Sequence, residues 1–169
     1  ICSGLVGSEM CIRDRHNLFH DNGIKIFSED GVKISKELES KIELLLKKEL
    51  KPVPTSELGK AQRFDESVAR YIEFCKSTVP SEVSFRSLRI IVDCANGACY
   101  RVTPAIFREL GAEVIEIGTE PDGFNINQDC GSTNPEKLKE KVLEQRADFG
   151  IAMDGDGDRV VIIDSKGNI

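Results

Sequence analysis

Short apolar runs that alternate with stretches of helical periodicity constrain the fold of this 169-residue chain most strongly. The runs are LRIIVDC, AEVIEIG, DFGIAM and VVIID, all between residues 88 and 164. A strand that is apolar at nearly every position is typical of a sheet covered on both faces. Helices are expected over residues 101–110 and after Asn134, the second with Leu138, Val142 and Leu143 facing inward. The pattern predicts an α/β fold with mixed, largely parallel sheets flanked by helices.

The first half of the chain shows a different pattern. Residues 23–34 alternate apolar and polar side chains about a central Asp-Gly turn, which predicts a β-hairpin. Ser35 follows at a position suited to cap a helix. Because the pattern changes near residue 79, we predict a boundary between a domain at 16–78 and another at 79–169. The expected helix after Ser35 has apolar residues at helical spacing: Leu38, Ile42, Leu45, Leu46 and Leu50.

The first 15 residues, ICSGLVGSEMCIRDR, fit neither domain. They show no sustained period, and they lack the positive and apolar regions of a signal peptide. They resemble translated adapter sequence, so we expect residues 1–15 to be artefactual. The chain also stops at Ile169, just after a hairpin-like DSKGN. We therefore expect a fragment that is cut at both ends.

The composition excludes some classes of partner. The net charge of −6 and the pI of about 5.1 argue against nucleic acid, which requires a basic surface. No apolar run has the length of a membrane span. The six cysteines form no C-x-x-C pair, which predicts reduced thiols in a cytoplasmic protein.

The strongest motif is GIAMDGDGDRVVII, residues 150–163, in which three aspartates alternate with two glycines after an apolar strand. Carboxylates this close repel one another, so they need a cation or a proton. The glycines let the backbone curl so that the carboxylates converge. Carboxylate oxygens suit a hard cation, Mg²⁺ or Ca²⁺. We expect Asp154, Asp156 and Asp158 to hold one at the carboxyl end of the strand, where α/β sheets bind ligands.

Other interpretations of this motif are weaker. An EF-hand needs Gly at the sixth loop position and Glu at the twelfth, where this chain has Arg159 and Ser165. A haloacid-dehalogenase-like phosphohydrolase would use Asp154 as its nucleophile. That family usually has Thr or Val in place of Asp158, and its motif opens a domain. A solvated acidic turn is the non-functional alternative. Arg159 either grips a phosphate group or neutralises the aspartates, and the sequence leaves both open.

Four stretches together carry a resemblance to a known family. They are HNLFHDNGIKIFSEDG, IIVDCANGA, PDGFNINQDCGST and ADFGIAMDGDGDR, in this order between His16 and Arg159. They resemble the α-D-phosphohexomutases, covering the end of that family's first domain and most of its second. DNGIKIF and NINQDCGST are most similar to the branch that acts on glucosamine phosphates. Branches that act on mannose or glucose phosphates remain the alternative.

The resemblance implies an activity and a role for several residues. Such enzymes interconvert a sugar 6-phosphate and a sugar 1-phosphate through a phosphoserine, a bisphosphorylated sugar and Mg²⁺. The glucosamine branch supplies amino-sugar precursors of the cell wall. The resemblance assigns Mg²⁺ to the three aspartates and the phosphate to Arg159. It places His16 and Asn17 in the phosphoserine loop and gives Lys25 a part in proton transfer at the sugar hydroxyl.

The chain departs from the family pattern in the phosphoserine loop. Arg15 occupies the position of the phosphoserine, and Leu18 replaces the family's proline. An arginine cannot carry the transferable phosphoryl group, so we expect the chain as written to be inactive. Arg15 is the last residue of the suspect segment, which favours an artefact. If Arg15 is genuine, the alternative is a non-catalytic remnant that binds Mg²⁺ or a phosphosugar.

Overall fold

The chain forms two compact units in a computed structural model. One unit comprises Ile1–Arg13 and Ile24–Asp65, and the other Asp14–Gly23 and Glu66–Ile169. No helix within the described residues is long and apolar enough to cross a membrane. The domain boundary after residue 78 and the artefactual origin of residues 1–15 stay predictions. The structure describes residues 4–5, 11–14, 19–20, 23–28, 30–49, 53–59, 61–62 and 66–169.

Short strands pair in the first unit. Strand β1 (Gly4–Leu5) runs antiparallel to β4 (Ala61–Gln62). Strand β2 (Cys11–Asp14) pairs with β3 (Gly23–Ile26), the strand that opens the predicted hairpin. These ribbons contain two strands each, so they offer little surface on which a helix could pack.

The predicted hairpin after β3 is confirmed. Phe27 and Lys33 form an antiparallel bridge across the turn. The N–H of Ser28 donates to the carbonyl of Val32 at 2.8 Å, which closes the turn. The Asp-Gly pair lies at the tip, and Gly31 has φ +72°, a left-handed conformation that favours glycine.

Helix α1 (Lys36–Leu46) follows the hairpin. The Ser35 side chain accepts a hydrogen bond from the N–H of Leu38 at 3.3 Å, so the predicted cap is confirmed. No residue of α1 is buried. A short 3₁₀ turn at Thr55–Glu57 comes next in this unit. The exposed leucines of α1 are Leu38, Leu44, Leu45 and Leu46.

The second unit is built on a four-stranded sheet in the order β6-β5-β7-β8. Strand β5 is parallel to both β6 and β7, whereas β8 is antiparallel to β7. The predicted mixed, largely parallel α/β fold is therefore confirmed. The strands are β5 (Arg89–Asp93), β6 (Glu113–Ile117), β7 (Phe149–Met153) and β8 (Val160–Asp164).

Helices cover both faces of this sheet. Alternate residues of β5 point to opposite faces, so Ile91 joins one apolar cluster and Ile90 the other. Leu138 and Val142 of α4 are fully buried on the Ile91 face. Phe107 of α3 packs on the Ile90 face. The helices are α2 (Ser67–Ser77), α3 (Val102–Glu109) and α4 (Glu136–Gln145), with a 3₁₀ turn at Ala98–Tyr100 before α3.

Candidate metal centre

The predicted metal loop, residues 154–159, connects β7 to β8 as the turn of a hairpin. Met153, the last residue of β7, pairs with Val160, the first of β8. The N–H of Asp154 donates to the carbonyl of Arg159 at 3.3 Å. Both ends of the loop are therefore held by the sheet, as predicted for a site at the carboxyl end of a strand.

Asp154 organises the loop from inside. Its carboxylate is fully buried, and Oδ1 accepts hydrogen bonds from the N–H groups of Gly157, Asp158 and Arg159 at 3.0, 3.1 and 3.2 Å. Gly157 has φ +75°, which lets the backbone fold over this oxygen. A solvated acidic turn does not bury a carboxylate in this way, so the structure argues against that interpretation.

The structure brings the three predicted aspartates together. One carboxylate oxygen from each of Asp154, Asp156 and Asp158 lies within 4.8 Å of the others. At an effective dielectric constant of about 20, two negative charges at this distance repel by roughly 3 kcal/mol. The Asp158 side chain is 68% exposed, so water can reach the cluster and complete an octahedral shell. An all-oxygen donor set that is open to water fits Mg²⁺ or Ca²⁺.

Arg159 lies at the rim of this cluster. Its Nε is 3.9 Å from Oδ1 of Asp158, and its side chain is 63% exposed. An ion pair of this length between exposed groups contributes little to stability. The exposed guanidinium is accessible to a phosphate group, and its predicted role there stays a prediction.

The turn after β5 packs directly against the metal loop, which the sequence did not reveal. The N–H of Ala98 donates to the carbonyl of Gly155 at 2.8 Å. A Cβ on Gly97 would lie 2.3 Å from that same carbonyl oxygen, so no larger residue fits. The IIVDCANGA stretch therefore forms the wall behind the aspartates.

Cys99 lies beneath the metal loop. A Cβ on Gly157 would lie 2.3 Å from Sγ of Cys99, which shows how closely this sulfur packs against the loop. Burial raises the pKa of the Cys99 thiol, and the neighbouring Asp154 and Asp156 raise it further. A thiol that stays protonated is a packing group and a poor metal ligand. Cys75, Cys94, Cys99 and Cys130 are free thiols.

Asp93 is a second buried carboxylate that the sequence did not single out. Asp93 is the last residue of β5, a position similar to that of Asp154 directly after β7. Its side chain is fully buried. Burial raises its pKa, and hydrogen bonds from the N–H groups of Gly131 and Ala95 oppose that shift. A strand that ends in a lone Asp is too common a pattern to mark such a group from sequence.

The predicted phosphoserine loop is outside the described residues. Arg15, His16, Asn17 and Leu18 all fall there, and of Lys25 the structure describes the backbone within β3 but not the side chain. Their roles stay predictions. The compact unit that holds the metal loop also includes the segment Asp14–Gly23.

An aromatic contact connects Phe19, in that segment, with a second phenylalanine elsewhere in the same unit. The ring centroids of Phe19 and Phe124 are 5.2 Å apart at an interplanar angle of 76°, an edge-to-face pair. Phe124 belongs to the loop between β6 and α4, and it remains 65% exposed. Phe19 follows the positions of the phosphoserine loop directly in sequence. The pair therefore places Phe19 against the loop between β6 and α4.

Comparison with known proteins gives a consistent family. Residues 69–167 match the model of phosphoglucomutase/phosphomannomutase alpha/beta/alpha domain II. Residues 7–52 match alpha/beta/alpha domain I of the same family. The first match includes the metal loop and the IIVDCANGA stretch that packs against it. The phosphohydrolase and EF-hand interpretations of the loop are thereby superseded.

Curated relatives and solved structures agree with these matches. Phosphoglucosamine mutase of Legionella pneumophila (strain Lens) is 58% identical over 154 residues, 91% of this chain and 34% of the relative. Phosphoglucosamine mutase of Hahella chejuensis is 52% identical over 168 residues, 99% of this chain and 37% of the relative. A putative phosphomannomutase from Thermus thermophilus has the same fold, with a TM-score of 0.72 at 23% identity over 95% of this chain and 37% of its own.

The match is partial in length. The chain spans about a third of the curated relatives that it matches. Within that third the identity is high, and both family domains are represented in order. The chain therefore belongs to the phosphoglucomutase/phosphomannomutase family.

Proposed function

We propose that this chain is part of a phosphoglucosamine mutase, which interconverts glucosamine 6-phosphate and glucosamine 1-phosphate. The observation that carries the proposal is the cluster of Asp154, Asp156 and Asp158, whose carboxylate oxygens converge within 4.8 Å. The relatives that bear this name are 52% and 58% identical. The free thiols fit the cytoplasm, where we place the protein.

The aspartates would hold Mg²⁺ at the carboxyl end of β7. When bound, the ion would neutralise negative charge on the phosphoserine, which is the main requirement of phosphoryl transfer. Asp154 fixes the loop through its three N–H contacts, so the loop keeps its shape between turnovers. Arg159, exposed at the rim, would contact a phosphate oxygen.

The remaining roles concern proton and phosphoryl transfer. The phosphoserine gives its phosphoryl group to a sugar hydroxyl, whose proton leaves for a base, and a bisphosphorylated sugar forms. The sugar then turns over, and its other phosphate returns to the serine. Lys25 would move the proton at the sugar hydroxyl, for which its pKa must lie near the working pH. His16 and Asn17 would shape the serine loop.

Arg15 is inconsistent with this reaction, because a guanidinium cannot accept and return a phosphoryl group. The chain as written is therefore expected to show no mutase turnover. A purified sample, free of other mutases, that interconverted the two glucosamine phosphates would contradict this. Restoring a serine at position 15 addresses the question directly.

A chimaera tests the proposal. Residues 15–169 of this chain would replace the matching third of the Legionella pneumophila relative, and glucosamine 1-phosphate formation would be measured. We expect no activity with Arg15, activity with Arg15→Ser, and loss of that activity when Asp156→Asn is added. Asp122→Asn is the matched control, because Asp122 is an exposed loop aspartate outside the cluster.

Each outcome separates the alternatives. A folded Arg15→Ser chimaera that stays inactive but binds Mn²⁺ would favour a non-catalytic remnant. Turnover that survives Asp156→Asn would remove the metal centre from the mechanism. Mannose and glucose phosphates, tested as substrates of the natural full-length protein, would decide between the glucosamine branch and its relatives.

A further inference from the structure

The buried carboxylate of Asp93 joins two loops that are distant in sequence. Its Oδ1 accepts a hydrogen bond from the N–H of Ala95 at 2.9 Å, in the turn after β5. Its Oδ2 accepts one from the N–H of Gly131 at 2.7 Å, in the loop between β6 and α4. A buried carboxylate is costly without such partners, so both contacts stabilise the folded state. Asp93 therefore joins these loops from within the core, beside the backbone bond in which the N–H of Asn127 donates to the carbonyl of Ala95 at 2.9 Å.

Both loops also contact the metal loop. The turn after β5 reaches it through the N–H of Ala98, which donates to the carbonyl of Gly155 at 2.8 Å. The other loop reaches it through the N–H of Ser132, which donates to the carbonyl of Met153 at 2.9 Å. Met153 and Gly155 are the neighbours of Asp154. The two loops that Asp93 joins therefore form hydrogen bonds to the backbone on either side of Asp154.

These contacts leave no room for adjustment. A Cβ on Gly97 would lie 2.3 Å from the Gly155 oxygen, and a Cβ on Gly131 would lie 2.7 Å from the Met153 oxygen. Backbone packed this closely transmits a displacement of either loop to its neighbour. A displacement of Asp93 would therefore be transmitted through these loops to the metal loop.

We propose that Asp93 is a positioning residue of the metal centre. It holds the two loops against residues 153–155 and so sets the separation of the three carboxylates. This inference rests on the proposed metal centre. Asp93 does not touch the ion, and its effect passes through the backbone of the loops.

Asp148 provides a matched control. Its Oδ2 accepts a hydrogen bond from the N–H of Arg89 at 2.7 Å, at the opposite end of β5. Asp93→Asn and Asp148→Asn make the same chemical change at opposite ends of β5, since Asp93 is its last residue and Asp148 bonds its first. The first change replaces an acceptor oxygen by an NH₂ group that faces a backbone N–H next to the metal loop. Asp148 is exposed and accepts through one oxygen, so its asparagine variant can keep that bond and controls for the loss of charge alone, far from the metal loop.

The experiment is a Mn²⁺ titration of the complete chain, followed by the electron paramagnetic resonance signal of free Mn²⁺. We expect Asp93→Asn to weaken Mn²⁺ binding about 10-fold or more, the usual effect of removing a group that orients a ligand. Asp148→Asn should bind within about 2-fold of the wild type, by the same reasoning. Circular dichroism would confirm that each variant is folded at the titration temperature.

The outcomes are separable. A folded Asp93→Asn that binds Mn²⁺ as tightly as Asp148→Asn would overturn the positioning role and leave the metal centre intact. A wild type that binds no Mn²⁺ would remove the metal centre itself, and the positioning role with it.

A second measurement uses the wild type, in case Asp93→Asn does not fold. In a Mg²⁺ titration followed by amide NMR, the signals of Ala95 and Gly131 should shift together with those of the metal loop. The amide of Arg89, held by Asp148, should not shift. Ala95 and Gly131 signals that stay unmoved while the Gly155 signal shifts would also overturn the proposal.

Discussion

Helices α1 and α4 have similar apolar spacing, but only α4 buries its apolar residues. Helix α1 has Leu38, Ile42 and Leu45 at helical spacing on one side, yet none of its residues is buried. Helix α4 has Leu138 and Val142 on one side, and both are fully buried. The difference lies in what each unit offers. In the described part of the chain, α4 rests on a four-stranded sheet, while the first unit has two-stranded ribbons.

This comparison shows what amphipathic spacing does and does not determine. The spacing marks the face of a helix that gains by leaving water. Whether that face is covered depends on a surface made by other segments, because most helix stability in proteins comes from such packing. The contrast between α1 and α4 can be measured by substitutions on each.

The largest effect is expected in α4. Leu138→Ala removes a fully buried side chain that packs with Ile91 and Ile163. We expect the free energy of unfolding to fall by about 2–5 kcal/mol, measured by urea denaturation. Leu143→Ala is the control on the same helix, since Leu143 is 48% exposed. Equal losses for the two would show that α4 does not lie on the sheet as described.

The next effect tests the sheet beneath α4. A Cβ on Gly150 would lie 2.6 Å from Cγ2 of Val142 and 2.7 Å from Cδ1 of Leu138. Gly150→Ala should therefore overpack the core and cost about 1–3 kcal/mol in the same urea assay. Gly59→Ala, in the first unit, has no atom within 4 Å of its added Cβ and should be neutral or slightly stabilising. A stabilised Gly150→Ala would contradict the close approach of α4.

A smaller effect concerns the segment Asp14–Gly23, which belongs to the second unit. Phe124→Ala removes the edge-to-face contact with Phe19, worth about 0.5–1.5 kcal/mol. Trypsin cleavage after Arg15, the tryptic site nearest to Phe19 in sequence, should become about 2- to 10-fold faster, because cleavage follows the open population. Phe74→Ala is the control, since Phe74 is equally exposed at 63% and stacks on Tyr71 instead. The same acceleration in both variants would show that the contact does not hold the segment.

The smallest effect is expected in α1. Leu45 is 60% exposed, so Leu45→Ala should change the free energy of unfolding by less than about 0.5 kcal/mol. The urea midpoint is the measurement. A loss near that of Leu138→Ala would mean that the leucines of α1 are covered in solution, and the contrast between the helices would disappear.

Periodicity predicted the elements of the second unit but not all of their contacts. The apolar runs became β5 to β8, and Leu138 and Val142 face inward as expected. The prediction that Leu143 faces inward is wrong, because Leu143 is exposed. Adjacent residues on a helix point about 100° apart, and Val142 already faces the sheet. The helix expected after Asn134 begins at Glu136, since Pro135 is its N-cap residue.

The candidate site was also predicted only in part from the sequence. Asp154, Asp156 and Asp158 could be predicted because their spacing is local and their charges require an explanation. Asp93 could not, because its importance depends on an N–H group 38 residues away. Long-range contacts of this kind follow from the topology of the sheet, and local periodicity does not encode them.

The hairpin that carries the aspartates has a consequence for how fast the centre can form. Its three aspartates lie within residues 154–158, between strands that pair directly. Hairpins close in roughly 1–10 μs, and local contacts form long before distant ones. After a local opening, the three carboxylates can therefore regroup without waiting for the rest of the sheet. Recovery of the contact between Asp93 and Gly131 is slower, because these residues are 38 positions apart in the chain.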